Sequence, residues 1–154
     1  MTTSRINAYR WPARLVSHKP FAAEKYFITS SSIWQVFFAE NYDFSFLFSR
    51  LSTPAGLSEW FADDVFQKGD QFVFVWNGTE HDATLLESKV NSYVRFRWND
   101  AEDEEEYFEF NIHVEPLTGD VALIITDFAD EDEVADSTEL WNKQMDMLHR
   151  NLGA

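Results

Sequence analysis

The sequence contains no cysteine, few basic residues and no long apolar run. Without cysteine the chain can form no disulfide, no thiolate nucleophile and no cysteine-based zinc site. No apolar stretch approaches the roughly 18 residues that a membrane-spanning helix needs, and the first residues lack the apolar core of a secretory signal. We therefore expect a cytoplasmic protein that has no membrane span.

Acidic residues far outnumber basic ones. The chain has 27 Asp and Glu against 12 Lys and Arg, which gives a formal net charge of −15. Nucleic acids and anionic membranes are bound through cationic surfaces, so the charge argues against both as partners. An acidic surface of this kind could dock a basic patch on another protein or simply maintain solubility.

Aromatic residues, in contrast, are abundant. They make up 17% of the 154 residues, with 15 Phe and 6 Trp. One domain of this length can bury a sizeable core, but so much aromatic volume exceeds what an ordinary core needs. We expect either dense ring packing or an apolar cavity that can hold a ligand.

Alternation of apolar and polar residues predicts a series of strands. In one of them Val94, Phe96 and Trp98 point to one face, and Arg95 and Arg97 point to the other. The predicted strands cover residues 34–40, 70–78, 83–90, 92–100, 105–116 and 120–128. From residue 70 onward their connections are short, which implies an antiparallel meander with one apolar face.

Helical patterns lie on both sides of this run. A short helix is expected to begin near Asp43, and a second one has Thr53 as its N-cap and Pro54 in its first turn. Near the C-terminus, apolar residues recur at steps of three, four or seven, as an amphipathic helix requires. The residues of this apolar stripe are Val134, Trp141, Met145, Leu148 and Leu152.

The segment over residues 30–42 fits two patterns. It could form a first strand over 34–40, or the front half of a helix from Ser32 to Leu51, and we favour the strand. Residues 1–33 show no clear period, so we expect an N-terminal extension followed by one domain over 34–154. The expected fold is α+β, with an antiparallel sheet curled around the long C-terminal helix and two short helices after the first strand.

Several segments resemble one known group of proteins. They are "LFSRLSTPAGLSEWFADDV", "VRFRW", "FEFNI", "LTGDVALIITDFAD" and "LWNKQMDMLHRNLGA". Together they are similar to the START-like, Aha1-type members of the Bet v 1-like (SRPBCC) superfamily. The resemblance implies a helix-grip fold, often with a cavity for an apolar ligand between helix and sheet. Enzymes, lipid carriers, polyketide cyclases and chaperone regulators all use this fold, so it does not fix the function.

The candidate ligand site is the apolar face of the sheet together with the helices that cover it. Few polar groups are visible there, which favours a lipid-like or aromatic ligand over a polar one. The alternative is a solid core that fills its own cavity. The candidate residues are Trp60, Phe61, Phe72, Phe74, Trp76, Phe96, Trp98, Phe108, Phe110, Trp141, Met145 and Leu148.

No catalytic residue can be assigned. His113 alternates with apolar strand neighbours and should face solvent, and His81 lies in a predicted turn. The other candidate acids or bases, Asp63, Asp64 and Glu109, lack the pocket and partner that a general base needs.

No metal site or cofactor is expected either. The acidic runs at 99–107 and 127–136 lack the alternating oxygen ligands, central Gly and closing Glu of a calcium-binding loop. We interpret the first run as a solvated turn and the second as the start of a helix.

These observations favour a non-enzymatic protein that binds a small hydrophobic molecule. The alternative function is an acidic protein-interaction module resembling the Hsp90-activator (Aha1-type) domain. A cyclase- or hydrolase-like enzyme is a third hypothesis, which a polar residue beside a buried carboxylate in the interior would favour. Nothing in the sequence indicates an oligomeric state.

Overall fold

The computed structural model describes residues 32–38, 43–119, 121–128 and 133–152. All of the expected extension except its last two residues lies outside these ranges. The ambiguous segment forms a strand, β1 (Ser32–Phe38), two residues earlier than predicted. The helix alternative for this segment is therefore wrong.

Two short helices follow β1, as predicted. α1 (Phe44–Ser52) begins after Asp43, whose carboxylate caps the helix by accepting from the backbone N–H groups of Ser45 and Phe46. These hydrogen bonds to the charged form, together with one from the Ser45 hydroxyl, lower the pKa of Asp43, the hydroxyl contributing most. α2 (Pro54–Trp60) starts directly after Thr53.

The remaining strands run along the chain in the order β2 (Asp64–Lys68), β3 (Gln71–Trp76), β4 (Thr79–Lys89), β5 (Tyr93–Trp98), β6 (Phe108–Val114) and β7 (Val121–Asp127). They form a seven-stranded sheet in the order β1-β7-β6-β5-β4-β3-β2. Every neighbouring pair is antiparallel. The chain then ends in a long helix, α3 (Val134–Leu152).

The predicted alternation decides which residues form the core. Along β3 the side chains of Phe72, Phe74 and Trp76 are buried, whereas those between them are only half-buried. β5 repeats this pattern, and Phe96 lies opposite Phe108 of β6 in the register. The apolar face of the sheet therefore forms one continuous layer, and the buried side of α3 packs against it.

Strand β2 was missing from the sequence prediction. Val65 is its one buried residue, and Phe66 on the other face is half exposed. β2 lies at the edge of the sheet, where only one strand pairs with it and one face meets solvent. A strand in that position needs no regular apolar alternation, which is why the pattern failed there.

Candidate functional site

All of the predicted ligand-lining residues come together in one buried cluster. The most exposed of them, Trp60 and Trp98, have only 3% of their surface accessible. The sheet contributes residues from β3, β5 and β6, and α3 contributes Trp141, Met145 and Leu148. Trp60 and Phe61 come from the C-terminal end of α2.

The ring of Phe61 lies at the centre of this cluster. It stacks at 6.0 Å between ring centroids on Phe108 and on Trp141. It meets Phe74 and Trp76 edge-on at 5.2 Å and Phe110 at 5.6 Å. The ring of Trp60, tilted against it, lies 5.3 Å away. We call the other five rings the aromatic box: Phe74, Trp76, Phe108, Phe110 and Trp141. Offset stacks and edge-to-face contacts are the arrangements that aromatic rings prefer.

The backbone of Phe61 is held as firmly as its ring. Its carbonyl oxygen accepts from Trp76 Nε1 at 2.8 Å and from Gln144 Nε2 at 2.7 Å. Its N–H donates to the carbonyl of Leu57 at 2.8 Å, at the C-terminal end of α2. One backbone position therefore joins α2, β3 and α3.

The packing of α1 against α2 sets this position. Thr53 caps α2 by accepting from the N–H of Gly56 at 2.9 Å. A Cβ on Gly56 would lie only 2.2 Å from the carbonyl oxygen of Ser49, so only glycine lets the two helices approach so closely. Trp60 Nε1 donates to the carbonyl of Arg50 at 2.7 Å and fixes the other end of α2 to α1.

Buried polar side chains are the part of this interior that the sequence analysis missed. Gln144 has no exposed surface, and Ser137, Asp127 and Lys143 have at most 2%. Ser137 and Gln144 precede and follow Trp141 by four and three residues, so helical spacing places them on its face of α3. Extending the predicted stripe by this spacing could have found both residues.

Asp127 is a buried carboxylate at the end of β7. Its Oδ2 accepts from Trp141 Nε1 at 3.0 Å, and its Oδ1 accepts from the N–H of Phe128 at 2.8 Å. Oδ2 therefore ties α3 to the end of β7, whereas Oδ1 holds the adjacent backbone of the same chain segment. This arrangement gives Asp127 a structural role.

Asp63, Asp64, His113 and Glu109, four of the residues considered for acid–base chemistry, do not contribute to the aromatic box. Asp63 and Asp64 are exposed, and Asp63 Oδ2 accepts from the N–H of Asn77 at 2.8 Å in the β3–β4 turn. His113 is exposed on the outer face of the sheet, 3.8 Å from Glu115. Within the described residues no group of three or more His, Asp or Glu is arranged to hold a metal ion.

Glu109 belongs to an ion pair on the outer face. Arg95 donates to its Oε1 from Nε and Nη2, both at 2.7 Å, and the guanidinium lies 4.4 Å above the ring of Tyr107. Partial burial lowers the pKa of Arg95, but the hydrogen bond and charge of Glu109 outweigh it and raise that pKa.

An exposed hydrogen-bonded pair, Tyr93 and Glu87, lies beside this one. The hydroxyl of Tyr93 donates to Glu87 at 2.6 Å, and this hydrogen bond, above all, raises the pKa of Tyr93. Both pairs stabilise the solvent side of the sheet, on the face away from the aromatic box.

An open surface cleft of about 260 Å³ lies between β4 and the end of β5. Its lining residues are Glu80, His81, Asp82, Trp98, Asn99 and Asp100. The ring of His81 lies 5.5 Å from that of Trp76.

The curled sheet around α3, closed at one end by α1 and α2, defines a helix-grip protein with an aromatic interior. A family model described as the START-like superfamily domain matches residues 25–154. The chain therefore belongs to the START-like superfamily. No well-characterised protein sequence matches it significantly.

Solved structures agree with this assignment. A Bacteroides fragilis protein determined by solution NMR is 35% identical, with 80% of this chain and 91% of that chain covered and a TM-score of 0.58. The Aha1 dimer from Colwellia psychrerythraea shares the fold at 16% identity, with 79% and 92% covered and a TM-score of 0.58. A Mesorhizobium loti protein shares it at 18% identity, with 79% and 96% covered and a TM-score of 0.60.

Among the described residues, no helix is both long and apolar enough to cross a bilayer.

Proposed function

We propose that the protein binds a small hydrophobic molecule, aromatic or lipid-like, between the sheet and α3, and that it does so without catalysing a reaction. The observation that carries the proposal is the position of the Phe61 ring. It enters the layer between sheet and α3 from the end of α2, and the aromatic box surrounds it on several sides.

The box has the shape that an aromatic ligand requires. It makes two stacked and three T-shaped contacts around one ring-sized volume, which the Phe61 side chain occupies. A ligand ring would make the same contacts once the Phe61 side chain rotates aside. The site is therefore self-filled without ligand, and binding exchanges one ring for another, which lowers the cost of an empty apolar cavity.

Native mass spectrometry of the freshly purified protein is the first test. We expect a small apolar molecule to co-purify, visible as a mass increment that disappears on denaturation. The same spectrum reports the stoichiometry of the protein.

Two matched variants test the role of Phe61. Phe61→Leu removes the ring that fills the box, whereas Phe72→Leu removes an equally buried ring outside it, which contacts Phe74 and Phe96. By calorimetry with methylnaphthalene, we expect Phe61→Leu to bind about tenfold more tightly than the parent protein, a difference of about 1.4 kcal/mol. Phe72→Leu should not gain affinity. Equal gains in both variants would mean that the probe fills any hole in the core, and no binding by the parent protein would refute the proposal.

The interaction-module hypothesis rests on the resemblance to Aha1-type proteins and on the acidic charge. The net charge of −15 suits a partner with a basic surface. Capture experiments at low salt test it, and failure to enrich a basic partner counts against it. No contact of the described residues favours this function over ligand binding.

A further inference from the structure

Gln144 is a polar side chain in the middle of the apolar layer. It has no exposed surface and lies on α3 between Trp141 and Leu148, which are both buried in the core cluster. Its amide nitrogen donates to the carbonyl of Phe61 at 2.7 Å. Its amide oxygen, Oε1, has no hydrogen-bond partner among the described residues.

An unpartnered acceptor at this depth is costly. Leaving a buried polar atom without a hydrogen bond costs about 1–3 kcal/mol. A methionine of similar shape would pack in the same place without that cost. The position therefore suits a ligand that supplies the missing donor.

The orientation of the amide fixes what the site can recognise. The NH₂ group must point at the Phe61 carbonyl, because the reversed amide would place Oε1 against another acceptor. Oε1 is then presented beside the residue whose ring fills the aromatic box. A molecule that replaces this ring thus meets a hydrogen-bond acceptor at the wall formed by α3.

We propose that Gln144 Oε1 accepts a hydrogen bond from the ligand, so that the ligand is a ring-bearing apolar molecule with a hydroxyl or N–H donor. This inference rests on the proposed function, because it assigns the polar contact of the same site. It excludes purely hydrocarbon ligands as the preferred class.

Ser137 provides a matched control on the same helix. Its Oγ also has no partner among the described residues, and 1% of the residue is exposed. A serine hydroxyl can rotate toward a carbonyl of the preceding helical turn, so it does not require a ligand. Ser137→Ala and Gln144→Met each remove one buried polar function from this face of α3.

The test compares two probes of the same shape. Naphthol carries a hydroxyl group, and methylnaphthalene carries a methyl group in its place. The quantity of interest is the affinity for naphthol relative to that for methylnaphthalene, measured by calorimetry. We expect Gln144→Met to lower this ratio about tenfold, equivalent to about 1.4 kcal/mol. Ser137→Ala should leave it unchanged.

The outcomes separate this inference from the proposal on which it rests. If both probes bind and Gln144→Met leaves the ratio unchanged, the contact with Gln144 is refuted while apolar binding stands. If neither naphthol nor methylnaphthalene binds, both the inference about Gln144 and the proposed function are refuted. If Gln144→Met does not fold, nuclear Overhauser contacts in the parent protein decide: the naphthol hydroxyl end beside the Gln144 amide supports the inference, and a pose with that end elsewhere refutes it.

Discussion

Gln144 donates its side-chain amide to the backbone carbonyl of Phe61 at 2.7 Å, although the two residues are 83 positions apart in the sequence. The same carbonyl accepts from the indole of Trp76. The end of α2 is thus hydrogen-bonded both to the sheet, through Trp76, and to α3, through Gln144. A ligand that displaces the Phe61 side chain need not release its backbone.

The shared acceptor predicts a coupling between Trp76 and Gln144. Trp76→Phe or Gln144→Met alone leaves the Phe61 carbonyl with the other donor, whereas the double variant removes both. We expect the double variant to lose more free energy of unfolding than the two single losses combined, by about 1–2 kcal/mol. Denaturant unfolding of the four proteins in the cycle measures this difference.

A control cycle pairs Gln144→Met with Tyr93→Phe. The hydroxyl of Tyr93 donates to Glu87 on the outer face of the sheet, so these two losses should add within about 0.5 kcal/mol. Additive behaviour in the Trp76 cycle as well would show that the two donors do not share the carbonyl in solution.

The close approach of α1 and α2 predicts that Gly56 tolerates no side chain. In Gly56→Ala the new Cβ would lie 2.2 Å from Ser49 O and 2.6 Å from Arg50 Cα. Both atoms belong to the backbone of α1, so the helices must separate, at a cost of about 1–3 kcal/mol. Thermal unfolding measures the loss. Ala55→Ser, at the exposed neighbouring position, should change stability by less than about 0.5 kcal/mol; an equally mild Gly56→Ala would contradict the helix packing described here.

The sequence predicted those parts of the fold in which local chemistry and burial agree. Thr53 and Pro54 mark the start of α2 by capping and by a fixed φ, and Phe72, Phe74 and Trp76 alternate because one face of β3 is buried. The candidate ligand-lining residues were chosen by the same rule, and all of them are in the core cluster. Whether they line a ligand stays a prediction.

Other features depend on contacts between distant residues, which no local pattern contains. β2 is set by its pairing with β3, and the hydrogen-bond partner of the Gln144 amide lies at the end of α2, 83 residues away. The central position of the Phe61 ring likewise follows from the approach of β3, β6 and α3 from different directions. Periodicity predicts which residues face the core, but it does not predict that the ring of Phe61 lies among the others.

The pair formed by Tyr93 and Glu87 predicts a pH dependence at high pH. The hydrogen bond to Glu87 raises the pKa of Tyr93 above its ordinary value. Its contribution to stability is therefore complete below the pKa of an unfolded tyrosine, and it is lost as the pH rises through the folded value. Spectroscopic titration of the phenolate should show one tyrosine that ionises late. Glu87→Gln should bring its pKa back toward the ordinary value, and no change in that variant would show that Glu87 is not the cause.

The ion pair between Glu109 and Arg95 should stabilise the sheet more than an exposed pair does. Glu109 is buried and receives two donors of Arg95, whose guanidinium also lies over Tyr107. Glu109→Gln keeps the shape but removes the charge, and we expect a loss of about 1–2 kcal/mol, reduced from the fully buried case because Arg95 is partly exposed.

Glu115→Gln is the matched control, because Glu115 faces the exposed His113 at 3.8 Å. This change should cost less than about 0.5 kcal/mol. Most of the loss in Glu109→Gln should also persist at high salt, since solvent ions screen a partly buried pair less than an exposed one. Denaturant unfolding of both variants at low and high salt tests this. Equal losses at the two positions, or a Glu109 effect that salt abolishes, would mean that the Arg95 pair behaves as an ordinary surface contact.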